Sequence, residues 1–211
     1  MVSAAVSIVV STPLADNGAM AVDIHSNTSQ RTLRTFLGVP VPDSVNDALA
    51  PVVRDLAQSP PDRGVRWVAP GNRHLTLAFL GDQPPATLAR LQSRLQPLLM
   101  PLPAFTLHSR MLMGFPDAKS PIVALEFERS EPLDELVQNI RGVLQPLDLP
   151  REQRPLRPHV TLGRLPRGRG WQQPPQPLPL SLPVQSVVLY QSRLTEQGAQ
   201  YTPLWRLPLR H

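Results

Sequence analysis

The sequence predicts an α+β protein built from two similar halves, and two observations support that prediction. First, apolar patterns with strand and helix periods follow one another from residue 32, in the order strand, helix, strand, helix, hairpin, helix, strand, hairpin. Second, one seven-residue pattern occurs twice, as His74-Leu-Thr-Leu-Ala-Phe-Leu80 and as His159-Val-Thr-Leu-Gly-Arg-Leu165. The two copies begin 85 residues apart, about the length of one half-domain, which indicates an internal duplication.

The first half of the chain is predicted to hold two strand-and-helix units. Residues 32–39 read as a strand, and a helix follows from Pro42-Asp43, with Pro51 expected to kink it or delay its start. The first copy of the repeat is a strand that ends near Gly81-Asp82. A second helix begins at Pro84-Pro85 and is expected to stop before Pro97.

The second half is predicted to contain two hairpins, one helix and the second copy of the repeat. The hairpins pair residues 105–113 with 122–128 and residues 186–194 with 202–207. The helix begins after Ser130 and carries the clearest amphipathic pattern of the chain, up to Leu144. Residues 166–183 are rich in Pro and Gln, and we expect a surface loop with no core to bury.

Composition limits the classes of protein to which the chain can belong. Its 211 residues are 41% hydrophobic, and no run approaches the roughly 18 apolar residues of a membrane span, so we expect no membrane partner. Cysteine is absent, which excludes disulfides, thiolate metal ligands and a cysteine nucleophile, and fits a cytoplasmic location. The net charge of +5 favours acidic partners such as nucleic acid. With one lysine and 27 prolines, a genome-wide compositional bias is the alternative explanation.

The N-terminal residues carry no pattern that would form a core. Residues 1–30 hold a brief apolar patch without the basic residues of a signal peptide. We expect 1–30 to be a disordered tail or the product of a start codon assigned too far upstream, and 31–211 to form one domain. Deleting residues 1–30 should therefore leave fold and activity intact.

The repeated pattern suggests general acid-base chemistry. Side chains alternate between the faces of a strand, so His74 shares a face with Thr76 and His159 shares one with Thr161. Two such strands side by side would form a pocket with two imidazoles and two hydroxyls, suited to moving protons around a phosphate. An imidazole pKa of about 6.5 allows one histidine to be neutral while the other is charged. The alternative is two unrelated core histidines.

Other chemistries fit the sequence less well. The pair lacks the carboxylate or third histidine of typical catalytic zinc sites, and no His-Glu-x-x-His motif occurs. No serine lies in a Gly-x-Ser-x-Gly elbow, including Ser109, Ser120 and Ser130. The remaining histidines have no matching motif and are expected to be incidental: His25, His108 and His211.

Arginines cluster around the second copy, with Glu152 the one acid among them: Arg151, Arg154, Arg157, Arg164, Arg167 and Arg169. They indicate either phosphate contact or a solvated loop. Arg164 is the best phosphate candidate because it lies inside the motif. Strict alternation places it opposite His159, so the assignment requires a bulge or bend at Gly163. Three aromatic residues could stack on a base or simply pack: Trp67, Phe115 and Trp171.

Several short stretches together form a pattern that covers nearly everything after residue 31. They are residues 66–68, 74–81, 114–116 and 157–164, and residues 189–192 with Gly198 and Tyr201. This pattern resembles the two-histidine (2H) phosphoesterases, and among them the RNA 2',3'-cyclic phosphodiesterases, also named 2'-5' RNA ligases. The resemblance implies a bilobal 2H phosphoesterase fold: two pseudo-two-fold related lobes of antiparallel sheet with helices, and a catalytic cleft between them.

The resemblance also implies roles for particular residues. His74 would be the proton donor, His159 the proton acceptor, and Thr76 and Thr161 would hold the phosphate oxygens, without metal or other cofactor. The expected reaction is hydrolysis of a terminal 2',3'-cyclic phosphate on RNA to a 2'-phosphomonoester by a monomer. The alternatives are action on small cyclic nucleotides or 2'-5' linked oligonucleotides, and an RNA-binding module without turnover.

Overall fold

The structure is a computed structural model that describes residues 32–58, 64–196 and 198–210. The predictions made for residues 1–30, for His25 and for His211 lie outside the described residues. None of the helices in the described part of the chain is long and apolar enough to cross a membrane.

The described residues form ten strands and three α-helices. The strands are β1 Leu33–Pro40, β2 Arg66–Trp67, β3 His74–Gln83, β4 Phe105–Gly114, β5 Ile122–Phe127, β6 His159–Arg164, β7 Gln176–Pro177, β8 Ser181–Val184, β9 Ser186–Thr195 and β10 Gly198–Pro208. The helices are α1 Asp43–Gln58, α2 Pro85–Leu99 and α3 Glu131–Leu144. The predicted α+β class and both predicted hairpins are confirmed.

The sheet consists of two halves that meet at the histidine strands. Its order is β10-β9-β1-β3-β6-β5-β4-β7, with β2 added to β6 and β8 added to β4. All pairings between these strands are antiparallel. The central strands β3 and β6 are joined through the single pair Leu75 and Val160. Because β1-α1-β3 has the same order as β5-α3-β6, each half places one histidine at the start of a central strand.

The core lies on the side of the sheet away from the histidines. Leu75 and Val160, which follow the two histidines, are almost completely buried in one cluster with the apolar faces of the helices. The predicted face of α3 is buried in that cluster: Leu133, Leu136, Val137, Ile140 and Leu144. A second, smaller cluster of Phe36, Val188 and Tyr190 packs beside His74. Each central strand therefore separates an apolar core from a polar site.

Of the two predictions about proline in helices, the one for Pro97 was wrong, and of the two effects expected at Pro51 the late start is contradicted. Helix α1 begins at Asp43 and continues through Pro51 rather than starting late, and α2 continues through Pro97 to Leu99 instead of stopping before it. Leu99 is fully buried on the apolar face of α2. Its burial stabilises the last turn by about 1.5–3 kcal/mol, which is comparable to the roughly 3 kcal/mol that a proline inside a helix costs through its lost hydrogen bond and its steric clash.

The prediction of a coreless loop over residues 166–183 was also wrong. Trp171 is 2% exposed and Leu182 is fully buried, and strands β7 and β8 in this segment both pair with β4. The backbone at Gly170 passes so close to the loop below that an added Cβ would lie 2.2 Å from the Ala118 carbonyl oxygen. The alternation in β8 spans four residues, which is too short to stand out among the prolines.

Candidate active site

Both histidines are held by the same backbone device. The Nδ1 atom of His74 lies 2.8 Å from the Asn72 carbonyl oxygen, and that of His159 lies 2.9 Å from the Arg157 carbonyl oxygen. A carbonyl can only accept a hydrogen bond, so Nδ1 carries the hydrogen in both rings. This leaves Nε2 of each neutral imidazole with a free lone pair.

The two histidine strands line one cavity of about 740 Å³. The structure brings all five residues singled out in the sequence to this cavity: His74, Thr76, His159, Thr161 and Arg164. In chemical terms the cavity offers two proton-exchanging nitrogens, two hydroxyls that can donate hydrogen bonds, and a guanidinium that can bind an anion.

A β-bulge turns Arg164 toward the cavity. In the register of β6 against β5, Leu162 has no partner, so the alternation of side chains shifts by one residue after it. Arg164 therefore shares a face with His159. The bulge that the assignment of Arg164 required is present, one residue before Gly163.

The corresponding bulge in β3 brings in a residue that sequence reasoning missed. Leu77 has no partner in the register of β3 against β1, and Phe79 after it lines the cavity with 71% of its surface exposed. Phe79 occupies the same position in the first copy of the repeat as Arg164 does in the second. The alignment of the two copies could have identified Phe79. If Arg164 faces the site in the second copy, the equivalent residue of the first copy should face it too.

His74 lies in an aromatic environment. Its ring centroid is 4.5 Å from that of Phe36, 5.0 Å from Tyr201 in an edge-on arrangement, and 5.9 Å from Tyr190. Burial lowers the pKa of His74 to about 4, and the positive charges of His159 and Arg164 act in the same direction. The free imidazole is therefore neutral at pH 7.

His159 lies in a charged environment. Its ring stacks on Phe115 at 3.8 Å, and the Arg157 guanidinium lies 4.7 Å from the centroid of the same Phe115 ring. Arg157 donates hydrogen bonds of 2.7 and 3.1 Å to Glu126, which is the cross-strand partner of His159, and one of 3.2 Å to the Pro116 carbonyl oxygen. Burial lowers the pKa of His159, and Arg157 also lowers it, while Glu126 opposes the change.

Most of the predicted arginine cluster lies away from the cavity. Among its six members, Arg164 alone is in the cavity lining. Arg154 pairs with Glu152 at 3.0 Å on the surface, and Arg157 pairs with Glu126 at 2.7 Å. The solvated-loop alternative therefore describes exposed members such as Arg154 better than phosphate contact does.

The three aromatic candidates also have distinct places. Trp171 is a core residue and Phe115 is the stacking partner of His159. Trp67 borders the cavity and packs over Gly163, where an added Cβ would lie 3.0 Å from the indole. Within the described ranges, no group of three or more His, Cys, Asp or Glu side chains is arranged to hold a metal ion.

Comparison with known proteins identifies related chains. The model of a family described as the 2'-5' RNA ligase superfamily matches residues 42–195. An RNA 2',3'-cyclic phosphodiesterase from Thermus thermophilus is 31% identical over 187 residues, which are 84% of this chain and 91% of the relative. Among solved structures, TT0787 of Thermus thermophilus has a TM-score of 0.72 and 28% identity, covering 83% of this chain and 97% of that one. E. coli LigT complexed with 3'-AMP has a TM-score of 0.69 and 28% identity, covering 84% and 98%.

Proposed function

The chain belongs to the 2'-5' RNA ligase superfamily, and on that premise we propose that it hydrolyses the terminal 2',3'-cyclic phosphate of RNA to a 2'-phosphomonoester. The observation that carries the proposal is the cavity in which both histidines meet two threonines and an arginine. The chemistry of this set suits a phosphate anion. The relative from Thermus thermophilus, similar over most of both chains, supports the choice of substrate.

The proposed reaction requires that one proton be removed from water and that another be donated to the leaving 3' oxygen. His159 accepts a proton from water while the water oxygen bonds to phosphorus, and His74 donates a proton to the 3' oxygen as its bond to phosphorus breaks. Thr76 and Thr161 donate hydrogen bonds to the phosphate oxygens that do not react. The Arg164 guanidinium compensates the charge that builds on those oxygens. The direction of transfer between the two histidines is taken from the family resemblance.

The electrostatics of the free site bear on that direction. Burial keeps His74 neutral at pH 7, so its acid form depends on the negative charge that the bound phosphate brings. A carboxylate opposes the lowered pKa of His159 alone, because Glu126 faces that ring. In the free site His159 is therefore protonated more readily than His74. The alternative mechanism has His159 as the proton donor and His74 as the proton acceptor.

The first experiment tests the reaction. Purified protein is incubated in EDTA with oligoribonucleotides that end in a 2',3'-cyclic phosphate, and the product is compared with synthetic 2'- and 3'-phosphate standards. We expect a 2'-phosphate and undiminished turnover in EDTA. A requirement for a divalent ion would overturn the mechanism, and a 3'-phosphate product would overturn the orientation. Turnover of 2'-5' linked oligonucleotides or small cyclic nucleotides alone would instead support the alternative substrates.

A second experiment identifies the proton donor. A substrate with sulfur in place of the bridging 3' oxygen releases a thiolate, and thiols near pKa 8.5 leave without help from an acid. With this substrate, His74→Ala should lose much less activity than it does with the oxygen substrate, while His159→Ala should lose the same fraction. The reverse result would assign the donor role to His159.

A further inference from the structure

A second arginine lies directly across from Arg164. Strand β2 adds to β6 so that Arg66 is the cross-strand partner of Arg164, and Ile122 on β5 completes the same row. Residues directly opposite each other in antiparallel strands project from the same face, with Cβ atoms about 4.5–5.5 Å apart. All three side chains line the cavity that holds the histidines.

The two guanidiniums have no acidic partner in the described part of the chain. Within the described residues, neither Arg66 nor Arg164 forms an ion pair, whereas Arg129, Arg154 and Arg157 each do. Like charges directly opposite each other on neighbouring strands destabilise a sheet. An anion that binds between or beside the two guanidiniums would offset their repulsion. The planar guanidinium matches the oxygen atoms of a phosphate in particular.

The two arginines lie on neighbouring strands that line the same cavity. The charge of Arg164 contributes to the lowered pKa of both His74 and His159, so this guanidinium acts on both rings. Arg66 lies on the neighbouring strand β2, and the side chains of both arginines are exposed. A row of positive charge thus runs from the histidines through Arg164 to Arg66.

The opposite end of the cavity carries two exposed apolar side chains. Because β3 and β6 are antiparallel and meet at Leu75 and Val160, Phe79 and Arg164 point toward opposite ends of the site. Phe79 and Leu194 line that other end and expose 71% and 90% of their surfaces. An exposed aromatic face suits a nucleobase, which leaves the arginine end for the charged backbone.

We propose that Arg66 binds the internucleotide phosphate on the 5' side of the terminal nucleotide. This inference rests on the proposed function, since it assumes that the cyclic phosphate lies between the histidines within reach of Arg164. The phosphate on the 5' side is then the next anion along the RNA. The preferred substrate class is an RNA chain of two or more nucleotides rather than a cyclic mononucleotide.

The test isolates the charge of that one phosphate. Two dinucleotides with the same bases and the same 2',3'-cyclic end are compared, one with a phosphodiester linkage and one with a neutral methylphosphonate. The native protein should cleave the phosphodiester form about tenfold more efficiently in kcat/KM, as expected for a hydrogen-bonded charge pair. In Arg66→Gln this preference should disappear, and the negative slope of log kcat/KM against log salt should become shallower by about 0.7.

The controls separate this subsite from general charge. Arg90→Gln removes one positive charge from an exposed position on α2 and should keep the preference; loss of the preference there would overturn the inference. Arg66→Lys keeps the charge without the planar fork, so it should keep a smaller preference and serves as the test if Arg66→Gln does not fold. Equal cleavage of both substrates by the native protein, or an unchanged preference in Arg66→Gln, would also overturn it. Cleavage of neither substrate would instead overturn the proposed function.

Discussion

His74 and His159 occupy equivalent positions in the two halves of the sheet but have different neighbours. Each ring donates from Nδ1 to the carbonyl two residues earlier, and each strand bulges at the leucine three residues later. Around His74 the neighbours are Phe36, Tyr190 and Tyr201. Around His159 they are Phe115, Arg157 and Glu126.

This contrast shows which features of a duplicated site come from the backbone. Hydrogen bonding and bulges place Nε2 and the sixth motif position in both halves, whatever the surrounding side chains are. The side chains then set the charge and the ligand chemistry. Phe79 and Arg164 illustrate the division, because the same backbone position carries an aromatic ring in one half and a guanidinium in the other.

The largest expected effect tests whether both halves take part in the reaction. His74→Ala and His159→Ala should each reduce kcat about 10²-fold or more, since each removes one of two proton transfers. His108→Ala, at an exposed position on β4, is the matched control and should keep the native rate. Steady-state kinetics on a cyclic-phosphate oligonucleotide provide the measurement. A near-native rate in His74→Ala or in His159→Ala would show that the reaction needs only one of the two histidines.

The next largest effect compares Phe79 with Arg164, which occupy the same position in the two copies of the repeat. Phe79→Ala should raise KM about 5- to 100-fold through the loss of base stacking, and this loss should not depend on salt. Arg164→Gln should also weaken binding, and the positive slope of log KM against log salt should become shallower than the native slope by about 0.7. Phe79→Tyr keeps an aromatic face and should restore affinity. The exposed Leu98 on α2 provides the control, since Leu98→Ala should change neither quantity.

Two results would contradict the assigned chemistry of these positions. A salt-dependent loss in Phe79→Ala would mean that the ring acts through a neighbouring charge, such as Arg34 in the same cavity lining. An unchanged salt slope in Arg164→Gln would mean that this guanidinium contacts no phosphate.

The sequence predicted the elements of the fold well because their signals are local. The two hairpins, helix α3 and the histidine strands follow from apolar period and turn residues within about ten positions. The failures at Pro97 and residues 166–183 share one cause. In each case burial against distant parts of the chain, such as Leu99 or Trp171 in the core, outweighed a local preference.

The site was predicted less completely because parts of it depend on strand register. A bulge is defined by the partner strand, so the motif alone could state that Arg164 needs one but could not locate it at Leu162. Phe79 was missed for the same reason. Glu126 carries no motif of its own, and its place beside His159 follows from the pairing of β5 with β6.

A smaller effect concerns only the surroundings of His159, which contain the charges of Arg157 and Glu126. Glu126→Gln removes the negative charge that opposes the lowered pKa of His159, so the pKa of His159 should fall further while that of His74 stays unchanged. Titration of the imidazole Cε1 protons by NMR would measure both rings separately. Glu128→Gln, exposed just beyond the end of β5, should shift neither. A shift of His74 instead would mean that the two halves are not electrostatically distinct.

The smallest expected effect concerns stability, and it compares the two halves without substrate. The folded pKa of His74 is about 4, below the 6.5 of an unfolded histidine, so between these values the unfolded chain binds more protons than the folded one. The free energy of unfolding should therefore fall as the pH decreases from about 6.5 toward 4. His159 contributes with the same sign but less, because Glu126 favours its charged form.

Thermal unfolding between pH 8 and 5 in phosphate-free buffer would measure this difference, since most carboxylates stay ionised in that range. His74→Gln should remove more of the pH dependence than His159→Gln, because no acidic group among the described residues favours the charged form of His74. His108→Gln, at an exposed position on β4, is the matched control variant. If His159→Gln removed more of the pH dependence than His74→Gln, His74 would not be the histidine that is harder to protonate. The basis for treating His159 as the more readily charged ring of the free site would then be lost.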